Sequence, residues 1–216
     1  MSDLNTTPRH LVSINRSAGH DLSVGGRIIH TGIAKTPVQE AEVGQLGLAG
    51  DLVANVKHHG GPDQAVYLYS AADYAWWARQ LNRELKPGSF GENLTLSDFG
   101  PGPVHIGDRY QVGSVLLEVT APRIPCSTLA AHMDDPEFIA RFRAAERPGF
   151  YARVLEPGMA CVGDVVHVSR ADGFSLIEAY RLWYTPEPDA DLVRQALAAP
   201  VATRMRARWE KWLAQG

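Results

Sequence analysis

RYQV (109–112) and VLLEV (115–119), running into APRIPCSTL (121–129), decide how this chain folds. Both runs are short, rich in β-branched and aromatic residues, and follow the turn pair Gly107-Asp108, so they read as strands. The pattern recurs outward in HLVSIN (10–15), RIIHTGIA (27–34), AVYLY (65–69), NLTL (93–96) and VVHV (165–168). Turns are marked by Gly25-Gly26, Gly60-Gly61-Pro62-Asp63, Pro101-Gly102-Pro103 and Gly163-Asp164, where glycine and proline supply the backbone angles that reverse the chain. Many short strands between such turns predict a mainly β sandwich or barrel.

Two helices interrupt the strands. Ser70 with Asp73 three residues on resembles a capping pair, and Tyr74, Trp77, Ala78, Leu81 and Leu85 follow at helical spacing until Lys86-Pro87-Gly88. A second helix starts at Asp134 or Asp135, takes Pro136 into its first turn and buries Phe138, Ile139 and Phe142. Beyond about residue 173 the period changes to 3.6. Ser175 and Glu178 form a capping box, Asp189 caps a second segment, and Val201, Met205, Trp209, Trp212 and Leu213 stripe a third. The expected organisation is a β domain over 10–172 with a few peripheral helices, and a small three-helix appendage over 173–216.

The 216 residues carry 21 Lys+Arg against 24 Asp+Glu, a formal net charge of −3, with 45% hydrophobic residues. That balance, with a sequence pI near 6.2, gives no basic face for nucleic acid and no apolar run long enough for a membrane span. Small-molecule chemistry is the expectation. The start, MSDLNTTP (1–8), lacks the basic and apolar regions of a secretory signal, so a cytoplasmic location is expected, where Cys126 and Cys161 stay reduced.

Three segments carry chemistry. Pro122 and Pro125 fix two φ angles and remove two N–H donors, presenting Cys126 from a stiff loop at a strand end, with Arg123 three residues upstream. A guanidinium near the sulfur favours the thiolate, a nucleophile or soft-metal ligand; the alternative is a buried, inert thiol. Cys161, in an apolar approach to a strand, reads as inert. The second segment is Lys57-His58-His59-Gly60-Gly61-Pro62-Asp63, whose glycines let backbone N–H groups approach an anion, or else make a tight hairpin turn. Adjacent histidines on extended chain face opposite ways and no further ligand motif accompanies them, so zinc is disfavoured. The third is Gly88-Ser89-Phe90-Gly91-Glu92-Asn93-Leu94, with Asn93 at a strand start.

Taken together, GLAGD (47–51), HGGPDQAVY (59–67), GENL (91–94), IGDRY (106–110) and PRIPC (122–126) resemble the MOSC domain family in order and spacing. The tail from Ser175 resembles the three-helix extension of a bacterial subfamily. The resemblance implies a β-barrel that binds the molybdenum cofactor, a pyranopterin with a dithiolene and a phosphate, with Cys126 as ligand to molybdenum and catalytic residue. It implies reduction of N-hydroxylated bases such as 6-hydroxylaminopurine to amines, with electrons from a separate flavin or iron–sulfur reductase, and a family-level expectation of pyridoxal phosphate binding. A non-catalytic cofactor or sulfur carrier using Cys126 is the alternative, and an interaction module docking through the last helix is a third; a homodimer is an open assembly state. His59, Gly61 and Asp63 are assigned to the pterin pocket, Asn93 to pterin edges, and Arg123 or Lys57 to the phosphate. Thr128 stands where many relatives carry a lysine two residues after the cysteine; if that lysine holds cofactor phosphate, another base must replace it here.

Overall fold

The computed structural model describes residues 8–54 and 60–215. Strands dominate the first three quarters of the chain. They are β1 (Leu11–Arg16), β2 (His20–Val24), β3 (Arg27–Thr31), β4 (Thr36–Val38), β5 (Glu40–Gly44), β6 (Gly47–Leu48) and β7 (Val66–Ser70), followed after helix α1 (Ala71–Leu81) by β8 (Leu94–Leu96), β9 (Arg109–Val112) and β10 (Val115–Pro122). Helices α2 (Ser127–His132) and α3 (Phe138–Ala145) precede β11 (Phe150–Glu156), β12 (Gly158–Cys161) and β13 (Val166–Ser169). Helices α4 (Leu176–Tyr184), α5 (Ala190–Ala198) and α6 (Thr203–Leu213) close the chain.

Eight strands form one sheet in the order β13-β9-β10-β11-β7-β8-β1-β4, antiparallel except for the parallel pair β7–β8. β12-β5-β6 form a second sheet and β2-β3 a hairpin. Leu11 N donates to Asp164 O (2.9 Å) and Val166 N to Arg9 O (2.8 Å), drawing the start of β1 to the turn before β13. The sheet-dominated part of the expectation stands. With the antiparallel bridge His10–Val165, this tie joins β13, one end of the large sheet, to β1, the strand next to its other end, and among the described residues no ladder of strand length closes the sheet.

Local signals are realised where the side chain reaches its own backbone. Ser70 Oγ accepts from Asp73 N (3.0 Å) and donates to Asp73 Oδ2 (2.9 Å) at the start of α1. That helix ends at Leu81 and not at Leu85, because Asn82 enters the left-handed region (φ 48°), which an asparagine tolerates. Ile139 is half exposed: Phe138 and Phe142 share the inward face of α3, and Ile139 points off it. The Ser175–Glu178 capping box and the Asp189 cap both form. β10 runs to Pro122, past VLLEV, through an irregularity in its pairing with β11 between Val119 and Ala121.

Phe174, Leu176, Ala179, Val193, Met205 and Trp209 from the C-terminal segment belong to the same apolar cluster as Leu117, Val119 and Phe150 of the large sheet. Tyr69, Trp77, Phe90, Phe138 and Phe142 pack at 4.6–6.2 Å between ring centroids beneath α1 and α3. No helix is long and apolar enough to cross a membrane among the described residues.

Candidate functional site

The end of β10 delivers two functional groups to one cavity. Arg123 follows Pro122, and Cys126 follows Pro125 as the N-cap residue of α2, with φ −135° and ψ 169°. Both line a cavity of about 150 Å³ together with Lys35, Asp51, Asn93 and Tyr151. Cys126 is half-buried.

Arg123 is 4% exposed. One of its terminal nitrogens donates to Phe90 O, and the guanidinium carbon lies 4.9 Å from the centroid of the Tyr67 ring. Its buried Nε has no hydrogen-bond partner among the described residues. Burial works against the charge, but Tyr151, Tyr67 and Cys126 around it outweigh that, so Arg123 stays cationic. A buried guanidinium has the chemistry to hold an anion. Burial also pushes the Tyr67 and Tyr151 phenols up, which keeps these ring walls neutral, and their centroids stand 5.1 Å apart.

The opposite wall is organised by Asp51. Its carboxylate takes Lys35 Nζ at 2.6 Å on both oxygens, Ser17 N at 2.8 Å and Asn93 Nδ2 at 2.8 Å. Burial drives the Lys35 amine below its ordinary value, and Asp51 opposes the shift without cancelling it. Asn93 Oδ1 accepts from Tyr67 N (3.1 Å), so the Asn93 side chain fixes β7 to Asp51. A β-carbon at Gly32 would stand 2.1 Å from Leu52 O, so the 29–33 segment and the chain after Asp51 meet only because position 32 is bare.

The residues singled out in sequence are distributed unevenly. Cys126, Arg123 and Asn93 come together. Gly60 lines the cavity, packed against Val53, whereas Gly61 starts the 3₁₀ turn Pro62–Gln64 and does not line it. Asp63, assigned to the pterin pocket, points away from it: its carboxylate binds Arg153 (2.8 Å) and Thr203, because α6 and β11 pack on that side of the turn. Lys57 and His59 lie outside the described residues. Thr128 lines the cavity. Lys35, Tyr67 and Tyr151 were missed, Lys35 without any sequence signal and the tyrosines hidden within strand patterns; Asp51 was visible only as the last residue of GLAGD. Cys161 sits on β12 with its sulfur 4.0 Å from Glu40 Oε2 and does not line this cavity.

The family model of the MOSC domain matches residues 55–167, which include the loop bearing Cys126 and the Arg123, Asn93 and Tyr151 part of the cavity lining, while Lys35 and Asp51 lie before it. The chain belongs to the MOSC domain family. It is 33% identical over 205 residues to the uncharacterized protein YflK of Bacillus subtilis, covering 93% of each chain. The crystal structure of YiiM from Geobacillus stearothermophilus superposes with a TM-score of 0.77 at 28% identity, covering 94% of this chain and 98% of that one. A protein of Gibberella moniliformis named a reductase is 36% identical over 124 residues, 56% of this MOSC protein and 22% of that one.

Proposed function

We propose that this MOSC protein binds the molybdenum cofactor in the Cys126 cavity and reduces N-hydroxylated compounds, such as 6-hydroxylaminopurine, to amines. The observation that carries the reading is that one cavity is lined by both the half-buried Cys126 and a buried Arg123 whose Nε has no partner among the described residues. The donor set fits: a thiol suits a soft, redox-active metal, and a fixed guanidinium suits a phosphate. When bound, the cofactor supplies a centre that accepts oxygen and carries an electron pair. The N–O bond breaks, nitrogen retains its substituent as the amine, and oxygen leaves as water, consuming two electrons and two protons supplied by a separate flavin or iron–sulfur reductase and by solvent.

The chain's own groups divide the remaining work. Arg123 holds negative charge as a cation, because the Tyr151, Tyr67 and Cys126 groups around it outweigh the burial that works against its charge. Asp51, held by Lys35 and Ser17, fixes Asn93 and through it β7, so the wall bearing Tyr67 does not collapse into the cavity. Tyr67 and Tyr151 offer neutral ring surface and limit water around the thiol. Lys35, with Nζ spent on both Asp51 oxygens, does not offer the free amine that pyridoxal phosphate would bond.

A relative named as a reductase supports an oxidoreductase role. The test is expression in a host that makes the cofactor, assay of bound molybdenum, and reduction of 6-hydroxylaminopurine with a small artificial electron donor. Turnover by the loaded protein is expected; a molybdenum-loaded protein inert to N-hydroxylated substrates would sink the activity.

A further inference from the structure

α6 begins at Thr203 after Ala202, whose side chain offers no cap, so the first N–H groups of this helix need an acceptor from elsewhere. Asp63 provides it. Its Oδ2 accepts from Thr203 N and Thr203 Oγ1, both at 2.7 Å, while its Oδ1 takes Arg153 at 2.8 Å. A carboxylate at a helix N-terminus also meets the positive end of the helix dipole. The same seam is stitched by Ala202 N to Thr120 O (3.0 Å), Arg153 to Pro200 O (3.1 Å) and Thr120 Oγ1 to Asp63 O (2.5 Å).

The turn that carries Asp63 is also a wall of the cavity, through Gly60, Gln64 and Ala65. Gln64 and Tyr151 line it on one side and, on the other, border a smaller cavity of about 30 Å³ closed by Trp183, Arg204 and Met205 of α4 and α6. Tyr151 lies within electrostatic range of both Cys126 and Arg204.

We propose that Asp63 is a positioning residue: by capping α6 from outside that helix, it couples the C-terminal helices to the 60–65 wall of the Cys126 cavity. The helical tail is then a working part of the site. Losing the cap frees both partners at once, because the same carboxylate that completes α6 anchors the turn. The low carboxyl pKa follows: burial raises it, but the bonds from Thr203 and Arg153 win and hold Asp63 ionised. The inference rests on this cavity being the working site, but its readouts need no cofactor, so failure here and failure of the proposed activity are distinguishable.

The experiment uses the full chain in a Cys161→Ser background, so that Cys126 is the one thiol. Its rate of reaction with an aromatic disulfide reagent is measured alongside amide hydrogen exchange. Asp63→Ala is expected to speed the Cys126 reaction and the exchange of residues 60–65 and of the first turn of α6 together, by roughly five-fold, the change that losing one cap produces locally. Thr203→Val, which removes only the hydroxyl donor, should move all three in the same direction by less, and stands in if Asp63→Ala does not fold. The control is Glu146→Gln, which breaks the exposed tie between α3 and Arg181 of α4 (2.5 Å) on a part of the molecule that does not line the cavity; it should leave the thiol rate unchanged. Faster exchange of α6 alone, with thiol rate and residues 60–65 as in the parent, would reduce Asp63 to a helix cap and overturn the coupling. So would no change in any of them.

Discussion

Lys35 Nζ stands 2.6 Å from both carboxylate oxygens of Asp51, and each side chain is only 7% exposed. Two buried opposite charges tolerate the joint loss of both better than the loss of one. Asp51→Ala strands the ammonium and removes the acceptor of Asn93 and Ser17, and should cost about 3–5 kcal/mol in urea unfolding. Lys35→Met combined with Asp51→Leu should cost less than Asp51→Ala alone. Strict additivity of the single changes would show that the pair is not coupled.

Cys126→Ser should abolish cofactor-dependent turnover and leave thermal unfolding within a degree or two of the parent. Serine is close in shape and is a better N-cap for α2 than cysteine, so no fold-level loss is expected. Cys161→Ser should leave turnover intact, since that sulfur does not line the cavity. A dead but well-folded Cys161→Ser protein would mean the wrong thiol was chosen.

Gly32→Ala places a methyl group 2.1 Å from the Leu52 carbonyl oxygen, a backbone atom that has no rotamer to move into. The two cavity segments must separate, at about 1–3 kcal/mol. Calorimetry should show the loss, and anion binding at Arg123 should weaken with it; a parent-like melting profile would show that the segments adjust freely.

Glu92 gives the pH dependence. It is fully buried, Oε1 takes Tyr74 OH (2.7 Å), Gly88 N (2.6 Å) and Thr95 Oγ1 (2.8 Å), and Oε2 has no partner among the described residues. Burial raises its pKa above the ordinary 4.5, more than these hydrogen bonds lower it. The folded state therefore binds more protons than the unfolded chain between 4.5 and the raised value, and stability falls as pH climbs through that window. Glu92→Gln, near-isosteric and neutral, should flatten that part of the stability–pH curve, whereas Glu92→Ala should lose stability at every pH. An unchanged slope in Glu92→Gln would place the titration elsewhere.

What could be read early was local. The Ser70, Ser175 and Asp189 caps bond backbone two or three residues away, so a short window of sequence contains both partners. β5 escaped notice because Glu40–Gly44 carries weak strand formers, and its longer pairing is with β12, more than a hundred residues on, beside a two-residue pairing with β6. β4 contains Pro37, which fits only because β4 is the edge of its sheet.

The site divides in the same way. Sequence alone determined that Cys126 is offered from a proline-stiffened turn after the strand, with Arg123 three residues upstream; that both line one cavity was decided by the fold. Only the tertiary structure decided that Asp51 gathers Lys35, Ser17 and Asn93, and that Asp63 turns from the cavity to cap α6, 140 residues away. A backbone turn is dictated by the residues that make it. The direction a carboxylate faces is dictated by whichever unpaired donor packing brings near, and at Asp63 that donor was the bare first turn of the last helix.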